Sequence, residues 1–265
     1  MELRGKTTIV TGAASGIGEA IAEAFLAEGA TSVIVADRNE RGAKDVAERL
    51  GSAATGVGID VADEAAVQQM VADAEAANGP TDVFVSNAGY GLPGGIDLPD
   101  DEWMRMMDVH VWSHLYAARA VIPGMVERGD GYLLNTASAA GLLTQMDSGP
   151  YAVSKHAAVA LAEWLSINYG DKGVKVSVLC PRAVRTNIMG DRARSIADDP
   201  SARQAGGDGV LEASEAAQSC IDAMRDERFL VLPHPQVETY FQRKASDYDR
   251  WLKGMRRFRK RLTGD

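Results

Sequence analysis

The sequence predicts a single α/β domain in which a parallel β-sheet is covered by helices on both faces. Three observations support this fold class. Short runs of β-branched and apolar residues alternate with helical patterns of ten or more residues. A glycine-rich turn joins the first of these runs to the first helical pattern. Polar residues directly follow several of the runs, which is where ligands of parallel sheets bind.

The composition is that of a soluble globular protein, with 265 residues, 46% hydrophobic and 25% charged. The net charge of −9 argues against a nucleic-acid partner. Cys180 and Cys220 stand forty residues apart without a pairing motif, so we expect the reducing cytoplasm. We expect no signal peptide, and no apolar stretch approaches the ~18 residues that a membrane span needs.

The first elements resemble a nucleotide-binding unit. A strand-like run at residues 6–11 leads into the turn Gly12-Ala-Ala-Ser-Gly16-Ile-Gly18, and a helical pattern follows at residues 19–27. Glycines let the backbone approach a pyrophosphate, and the helix N-terminus supplies amide groups and a positive dipole. Strand, turn and helix in this order therefore predict a dinucleotide site.

Asp37 stands at the end of the second predicted strand, residues 32–36, and 25 residues past Gly12. A carboxylate there would accept hydrogen bonds from the ribose hydroxyls of NAD and repel the 2′-phosphate of NADP. Arg38 is the complication, because a guanidinium would pair with that phosphate. We favour NAD over NADP; the alternative is that Asp37 only caps the next helix, residues 40–50.

The following strands place more polar residues at the same edge. Runs at residues 55–59 and 82–86 end at Asp60 and Asn87, with a helical pattern between them. The carboxyl ends of parallel strands meet at one edge of the sheet, so we expect these side chains to share a site.

The second half of the chain continues the alternation. A long helix is predicted at residues 101–128, strands at 132–136, 174–179 and 228–232, and a helix at 213–224. The polar, glycine-rich stretch at residues 187–210 is interpreted as a lid over the substrate.

Tyr151 and Lys155 carry the predicted chemistry, on a helix that begins at Pro150. Positions four apart share a helix face, and a nearby cation lowers the pKa of a phenol from its usual value of roughly 10. Ser138, thirteen residues upstream of Tyr151, would hold the oxygen of an alcohol or carbonyl beside the phenol. The alternative for Tyr151 and Lys155 is a solvated surface pair.

With these motifs in place, residues 6–232 resemble the short-chain dehydrogenase/reductase family. The resemblance rests on the Thr11-to-Gly18 turn, on Asn87-Ala88-Gly89, and on Ser138 followed by Tyr151-x-x-x-Lys155. It implies a Rossmann-type doubly wound sheet in one domain, residues 1–234, and a homotetramer or homodimer.

The resemblance also implies roles for individual residues. Tyr151 would be the acid/base, and Lys155 would lower its pKa and hold the nicotinamide ribose. Asp60 and Val61 would contact the adenine, and Val184 and Thr186 the carboxamide. The expected cofactor-binding residues are Gly12, Ser15, Gly16, Ile17, Gly18, Asp37, Arg38, Asp60, Val61, Asn87, Ala88, Gly89, Tyr151, Lys155, Pro181, Val184 and Thr186.

Two residues depart from the family pattern. His110 replaces an asparagine whose backbone carbonyl is thought to feed a proton relay; we expect the relay to persist, with the imidazole either taking part as a catalytic group or only filling space. His114 lies one turn further, but without an acidic third ligand we expect no metal. Arg182 replaces a glycine, and either binds an acidic substrate or points to solvent.

The substrate pocket is expected to be mostly apolar, which suggests a secondary alcohol or its ketone. Its candidate residues are Tyr90, Leu143, Met146, Arg182 and Met189.

The C-terminal extension, residues 235–265, carries a basic amphipathic helix. Trp251, Met255, Phe258 and Leu262 form one stripe, and lysines and arginines cover the rest. We expect this helix to dock on the domain or on a neighbouring subunit rather than on a membrane.

The sequence thus predicts an NAD-dependent dehydrogenase of a mostly apolar secondary alcohol. An NADP-dependent carbonyl reductase is one alternative. A nucleotide-binding scaffold or sensor without turnover is the other, motivated by His110 and Arg182.

Overall fold

The computed structural model describes residues 1–186 and 207–264. Its centre is a seven-stranded sheet in the order β3-β2-β1-β4-β5-β6-β7, and each neighbouring pair is parallel. The predicted Rossmann-type, doubly wound α/β architecture is confirmed. The strands are β1 (Thr7–Thr11), β2 (Ser32–Asp37), β3 (Ala54–Gly58), β4 (Val83–Ser86), β5 (Gly131–Thr136), β6 (Val174–Leu179) and β7 (Leu230–Val231).

Helices cover both faces of this sheet. Along the chain they are α1 (Gly16–Ala27), α2 (Glu40–Leu50), α3 (Glu64–Asn78), α4 (Asp100–Met107), α5 (Ser113–Arg128), α6 (Ala140–Leu143), α7 (Gly149–Tyr169), α8 (Ala213–Asp226), α9 (Gln236–Ser246) and α10 (Tyr248–Thr263). A π-helical turn, Asp108–Trp112, joins α4 to α5. No helix in the described part of the chain is both long enough and apolar enough to cross a membrane.

The sheet divides the apolar core into two halves, because alternate residues of a strand face opposite sides. Ile9, Phe84 and Leu133 pack toward α3, α5 and α7. Val10, Val85 and Leu134 pack on the other face, toward α1, α2 and α8. The central strands are fully buried, and this is why they read as continuous apolar runs in the sequence.

Three parts of the chain differ from the sequence-based expectation. Helix α1 begins at Gly16 rather than at residue 19. The long helix expected at residues 101–128 is interrupted by the π-helical turn. The C-terminal extension holds two helices instead of one, separated at Asp247, whose carboxylate caps α10 by accepting from the amide of Arg250. Most of the proposed lid, including Met189, lies outside the described residues.

Candidate active site

A cavity of about 1000 Å³ lies at the carboxyl edge of the sheet. Most of the residues predicted from the sequence meet there. Those that line it are Gly12, Ser15, Gly16, Ile17, Asp37, Arg38, Asp60, Val61, Asn87, Ala88, Gly89, Tyr90, Ser138, Leu143, Tyr151, Lys155, Pro181, Arg182, Val184 and Thr186. Gly18, His110 and Met146 are not among the lining residues.

The glycine-rich turn forms one wall of the cavity, and its shape depends on the missing side chains. A Cβ atom on Gly12 would lie 2.7 Å from the Cα atom of Ala88, and one on Gly18 would lie 2.4 Å from the carbonyl oxygen of Gly12. Gly16 has a φ of +63°, which favours glycine. The side chain of Ser15 does not cap α1, and the amide groups at a helix N-terminus are suited to binding an anion. This cradle fits a pyrophosphate.

Asp37 lies at the adjacent strand end and is held by two backbone amides. Its carboxylate accepts from the amides of Ala14 at 3.1 Å and Asn39 at 2.9 Å. Asn39, rather than Asp37, caps α2. A carboxylate has about four acceptor positions, so Asp37 retains the capacity to accept from ribose hydroxyls.

Asn87 ties three strands together at the floor of the cavity. Its amide nitrogen donates to the carbonyl oxygens of Thr11 at 3.0 Å and Gly12 at 3.3 Å. Its amide oxygen accepts from the hydroxyl of Thr136 at 3.1 Å. The side chain is therefore fully engaged with β1 and β5 and shapes the floor from within the protein.

Tyr151 and Lys155 project from the first turns of α7. Ser148 caps this helix by accepting from the amide of Tyr151 at 3.2 Å, and Pro150 occupies its first turn. The Nζ atom of Lys155 lies 5.7 Å from the centre of the Tyr151 ring. Ser138 follows β5 and lines the same cavity, and its side chain interacts with that of Tyr151. The three groups therefore converge, as the spacing in the sequence predicts.

The electrostatics of these groups differ from the expectation. Burial raises the pKa of the Tyr151 phenol, and the interaction with Ser138 only partly opposes this. That Lys155 lowers the pKa of Tyr151 stays a prediction, in which the positive charge of a bound oxidised nicotinamide acts together with that of Lys155. Burial also lowers the pKa of Lys155, to about 8, because charging an amine in this environment is unfavourable. For Tyr151 to ionise near neutral pH, a further positive charge must lie close to its phenol.

His110 is buried behind the cavity in the π-helical turn. Its Nε2 atom accepts from the amide of Tyr90 at 3.2 Å, so the ring proton sits on Nδ1, which lies 2.9 Å from the Ser154 hydroxyl. Burial, and after it the charge of Lys155, holds the pKa of His110 well below its usual range. Both nitrogens of the neutral ring are occupied, so the contacts favour a positioning role over proton transfer.

Arg182 lies in the cavity wall, where it forms an ion pair with Asp208. Asp208 also accepts from the hydroxyl of Tyr240 at 3.0 Å, and the guanidinium lies 5.9 Å from the centre of the Tyr240 ring. The charge of Arg182 thus has a partner inside the protein. The side chain is mostly buried rather than directed to solvent, and the pairing favours a structural role over the alternative of a contact with an acidic substrate.

Several lining residues were not predicted from the sequence. They are Asp208, Tyr240, Arg243, Trp251, Met255 and Phe258. The stripe of α10 was visible in the sequence, but its spacing shows only that one face is apolar, and not what that face covers. Across the described residues, no group of three or more histidine, cysteine, aspartate or glutamate side chains is placed to hold a metal ion.

Comparison with known proteins agrees with this geometry. The family model "short chain dehydrogenase" matches residues 6–196. The chain is 34% identical over 259 residues to 1-deoxy-11-beta-hydroxypentalenate dehydrogenase of Streptomyces avermitilis, covering 95% of this chain and 93% of that protein. It is 36% identical over 192 residues to 3beta-hydroxysteroid dehydrogenase 2 of Eggerthella lenta, covering 70% and 74%. A crystal structure of a short chain dehydrogenase/reductase from Burkholderia phymatum in complex with NAD superposes with a TM-score of 0.85 at 30% identity, covering 94% of this chain and 96% of that one.

Proposed function

We propose a function for this chain, which belongs to the short-chain dehydrogenase/reductase family. It is an NAD-dependent dehydrogenase of a mostly apolar secondary alcohol. The observation that carries the proposal is the convergence of Tyr151, Ser138 and Lys155 on the cavity that also holds the glycine cradle and Asp37. A phenol, a hydroxyl and an ammonium beside a dinucleotide site are the groups that moving a proton from an alcohol requires.

The cofactor would be held by the residues of the cradle and by those at the neighbouring strand ends. The turn from Gly12 to Gly18 fits the pyrophosphate, Asp37 the adenosine ribose, and Asp60 and Val61 the adenine. Pro181, Val184 and Thr186 also line the cavity, and we place the carboxamide beside them. When bound, the oxidised nicotinamide accepts the hydride and adds positive charge beside Tyr151.

The chain's own residues handle the proton. Ser138 holds the substrate oxygen within reach of the Tyr151 phenol, and the phenolate takes the hydroxyl proton as the carbon is oxidised. In the protein alone, burial outweighs the effect of Ser138 and raises the pKa of the phenol, and burial also lowers the pKa of Lys155. Each pKa unit corresponds to roughly 1.4 kcal/mol, so the second positive charge has a direct effect on the fraction of phenolate.

The preference for NAD over NADP rests on Asp37. Its carboxylate would accept from both ribose hydroxyls and repel a 2′-phosphate. Arg38 lines the same part of the cavity and leaves NADP-dependent reduction as the second candidate function. The solved relative in complex with NAD supports the first.

An apolar alcohol is supported by the lining and by relatives. Leu143 and Leu92 contribute apolar surface to the same cavity as Ser138. Two relatives are named as dehydrogenases of a hydroxypentalenate and of a hydroxysteroid.

We also propose that the protein is a homo-oligomer, a dimer or a tetramer, in the cytoplasm. Helix α7 exposes Val153, Trp164 and Ile167, and such apolar surface is suited to a second copy of the chain. Cys180 and Cys220 are both free, in keeping with a reducing compartment.

The function is tested by following the reduction of NAD at 340 nm with a panel of cyclic, aromatic and steroidal alcohols. We expect steady turnover in the wild type and a loss of about 10²–10⁴-fold in Tyr151→Phe, with NADH binding retained. Tyr169→Phe, at the far end of the same helix, is the matched control and keeps its activity. Binding of NADH without turnover of any alcohol or ketone would instead favour the scaffold.

A further inference from the structure

We propose that helix α10 is the far wall of the substrate site, and that Trp251 on this helix selects alcohols with a bulky, fused-ring apolar body. The proposal rests on the proposed function, because it concerns the same cavity, and it names the part of the chain that sets substrate size.

The apolar stripe of α10 points into the cavity. Trp251, Met255 and Phe258 stand at helical intervals of four and three residues, and all three line the same cavity as Tyr151 and Ser138. Each is half-buried, whereas the basic residues between them are exposed. The helix therefore presents its apolar face to the site and its charges to solvent.

Helix α10 is held in place through α9. The buried ammonium of Lys244 donates to the carbonyl oxygen of Leu142, at the end of α6, over 2.6 Å. The same ammonium lies 5.4 Å from the ring centre of Tyr248, the first residue of α10. This anchor connects the extension to the segment that carries Leu143.

A second contact fixes α9 beside the site. The hydroxyl of Tyr240 donates to Asp208, which is paired with Arg182 at the end of β6. Trp251 in turn packs against the core half that contains α5 and α7. The wall is therefore a docked part of the domain, held by contacts to Leu142 and to Asp208.

The position of the wall determines which alcohols use it. An alcohol whose hydroxyl lies at Tyr151 reaches the stripe only if its carbon body spans the cavity. A flat aromatic side chain contributes most binding free energy when it covers a broad, rigid apolar surface. A small cyclic alcohol would leave the aromatic wall uncovered, so the wall favours fused-ring alcohols by their size.

The test compares two alcohols on the full chain, cyclohexanol and a steroidal secondary alcohol, each with saturating NAD. We expect Trp251→Ala to lower the ratio of kcat/KM for the steroid to kcat/KM for cyclohexanol by at least about tenfold, mainly through the KM of the steroid. Leu252→Ala, at the neighbouring exposed position that does not line the cavity, is the matched control and keeps the ratio of the wild type.

Met255→Ala provides a second variant should Trp251→Ala fold poorly, and we expect it to lower the same ratio. A ratio that stays constant in both variants would overturn the proposal, whether the two rates fall together or remain as in the wild type.

Binding separates this proposal from the proposed function. The Kd of the steroidal alcohol in the presence of NADH is measured by calorimetry in Tyr151→Phe, with and without Trp251→Ala. A Kd that weakens at least about tenfold with Trp251→Ala supports the wall, even if no alcohol is turned over by the wild type. Equal Kd values in the two backgrounds would refute the wall and leave the dehydrogenase activity unaffected.

Discussion

The side-chain nitrogen of Lys155 donates a hydrogen bond to the main-chain carbonyl oxygen of Thr136, over 3.0 Å, in the buried region between α7 and the end of β5. This contact orients the amine toward the site, but a single neutral acceptor compensates only part of the cost of burying an ammonium. The lowered pKa of Lys155, about 8, reflects that cost. The group that the chemistry needs is therefore a source of instability.

Replacing Lys155 by methionine should stabilise the protein at pH 7. Lowering the pKa from 10.5 to about 8 corresponds to roughly 3 kcal/mol of destabilisation. This penalty is complete below pH 8, where the amine is charged in both states, and it disappears as the pH rises to 10.5. Loss of the bond to Thr136 subtracts about 1 kcal/mol.

We therefore expect a net gain of about 2 kcal/mol in the free energy of unfolding at pH 7, and none near pH 10.5. Urea denaturation of both proteins at the two pH values measures the difference. A gain of equal size at both would show that the charge of Lys155 is not its cause.

Alcohol oxidation should become faster as the pH rises from 6 toward 10. The base must be the phenolate of Tyr151, and burial raises the pKa of this phenol, so protonation suppresses the reaction at low pH. The measurement is kcat/KM for the alcohol as a function of pH at saturating NAD. A profile that is flat or falls over this range would exclude Tyr151 as the base.

His114 should make the protein sensitive to acid. It is buried, both ring nitrogens lack a hydrogen-bond partner in the described part of the chain, and burial lowers its pKa to about 3. Between pH 6.5 and 3 the unfolded chain binds a proton at His114 that the folded chain does not. The free energy of unfolding therefore decreases by up to about 1.4 kcal/mol for each unit by which the pH falls.

His114→Leu removes this group, and we expect the variant to gain about 1–3 kcal/mol at pH 7 and more at pH 4.5. Denaturant titrations at both pH values provide the comparison. If the difference between the two proteins were the same at pH 4.5 as at pH 7, this interpretation of His114 would be incorrect.

Asp37→Ser should shift the cofactor preference toward NADP. Hydrogen bonds to charged groups contribute about 1.5–3 kcal/mol, so we expect kcat/KM for NAD to fall about 10–100-fold while Arg38 remains to pair with a 2′-phosphate. Arg38→Gln is the complementary variant and should weaken only NADP. An unchanged ratio of the two cofactors in Asp37→Ser would remove the carboxylate from the proposed ribose site.

Arg182→Ala should destabilise the protein by leaving Asp208 unpaired in a mostly buried position. The double variant with Asp208→Ala should recover part of the loss, and thermal unfolding of the four proteins of this cycle measures the coupling. If the two substitutions changed stability additively, the ion pair would contribute nothing to it. If Arg182→Ala only raised the KM for acidic substrates, the alternative in which Arg182 binds them would be restored.

The sequence predicted most of the fold because the local signals agree with one another. The β-branched runs lie in the sheet, and the rule that strand ends carry ligands places Asp37 and Asn87 at the cavity. The position of Ser138 beside Tyr151 follows from the same rule. These features depend on local properties of strands and turns, which can be predicted from short stretches of the sequence.

The remaining features depend on contacts between distant residues. No proline or glycine marks the π-helical turn around His110. The partner of Arg182 is Asp208, and the target of Lys244 is a carbonyl group at Leu142, 102 positions away. The raised pKa of Tyr151 depends on how deeply the fold buries it, and the amphipathic spacing of α10 does not reveal which surface it covers.

The bonds that Asn87 forms with Thr11, Gly12 and Thr136 are complete without any small molecule. The floor of the site is thus pre-organised, and little conformational entropy is lost there when a dinucleotide arrives. The main-chain amides of Asn87 and Ala88 both donate to the Thr11 hydroxyl, so hydrogen–deuterium exchange at these two amides should be nearly the same with and without NADH.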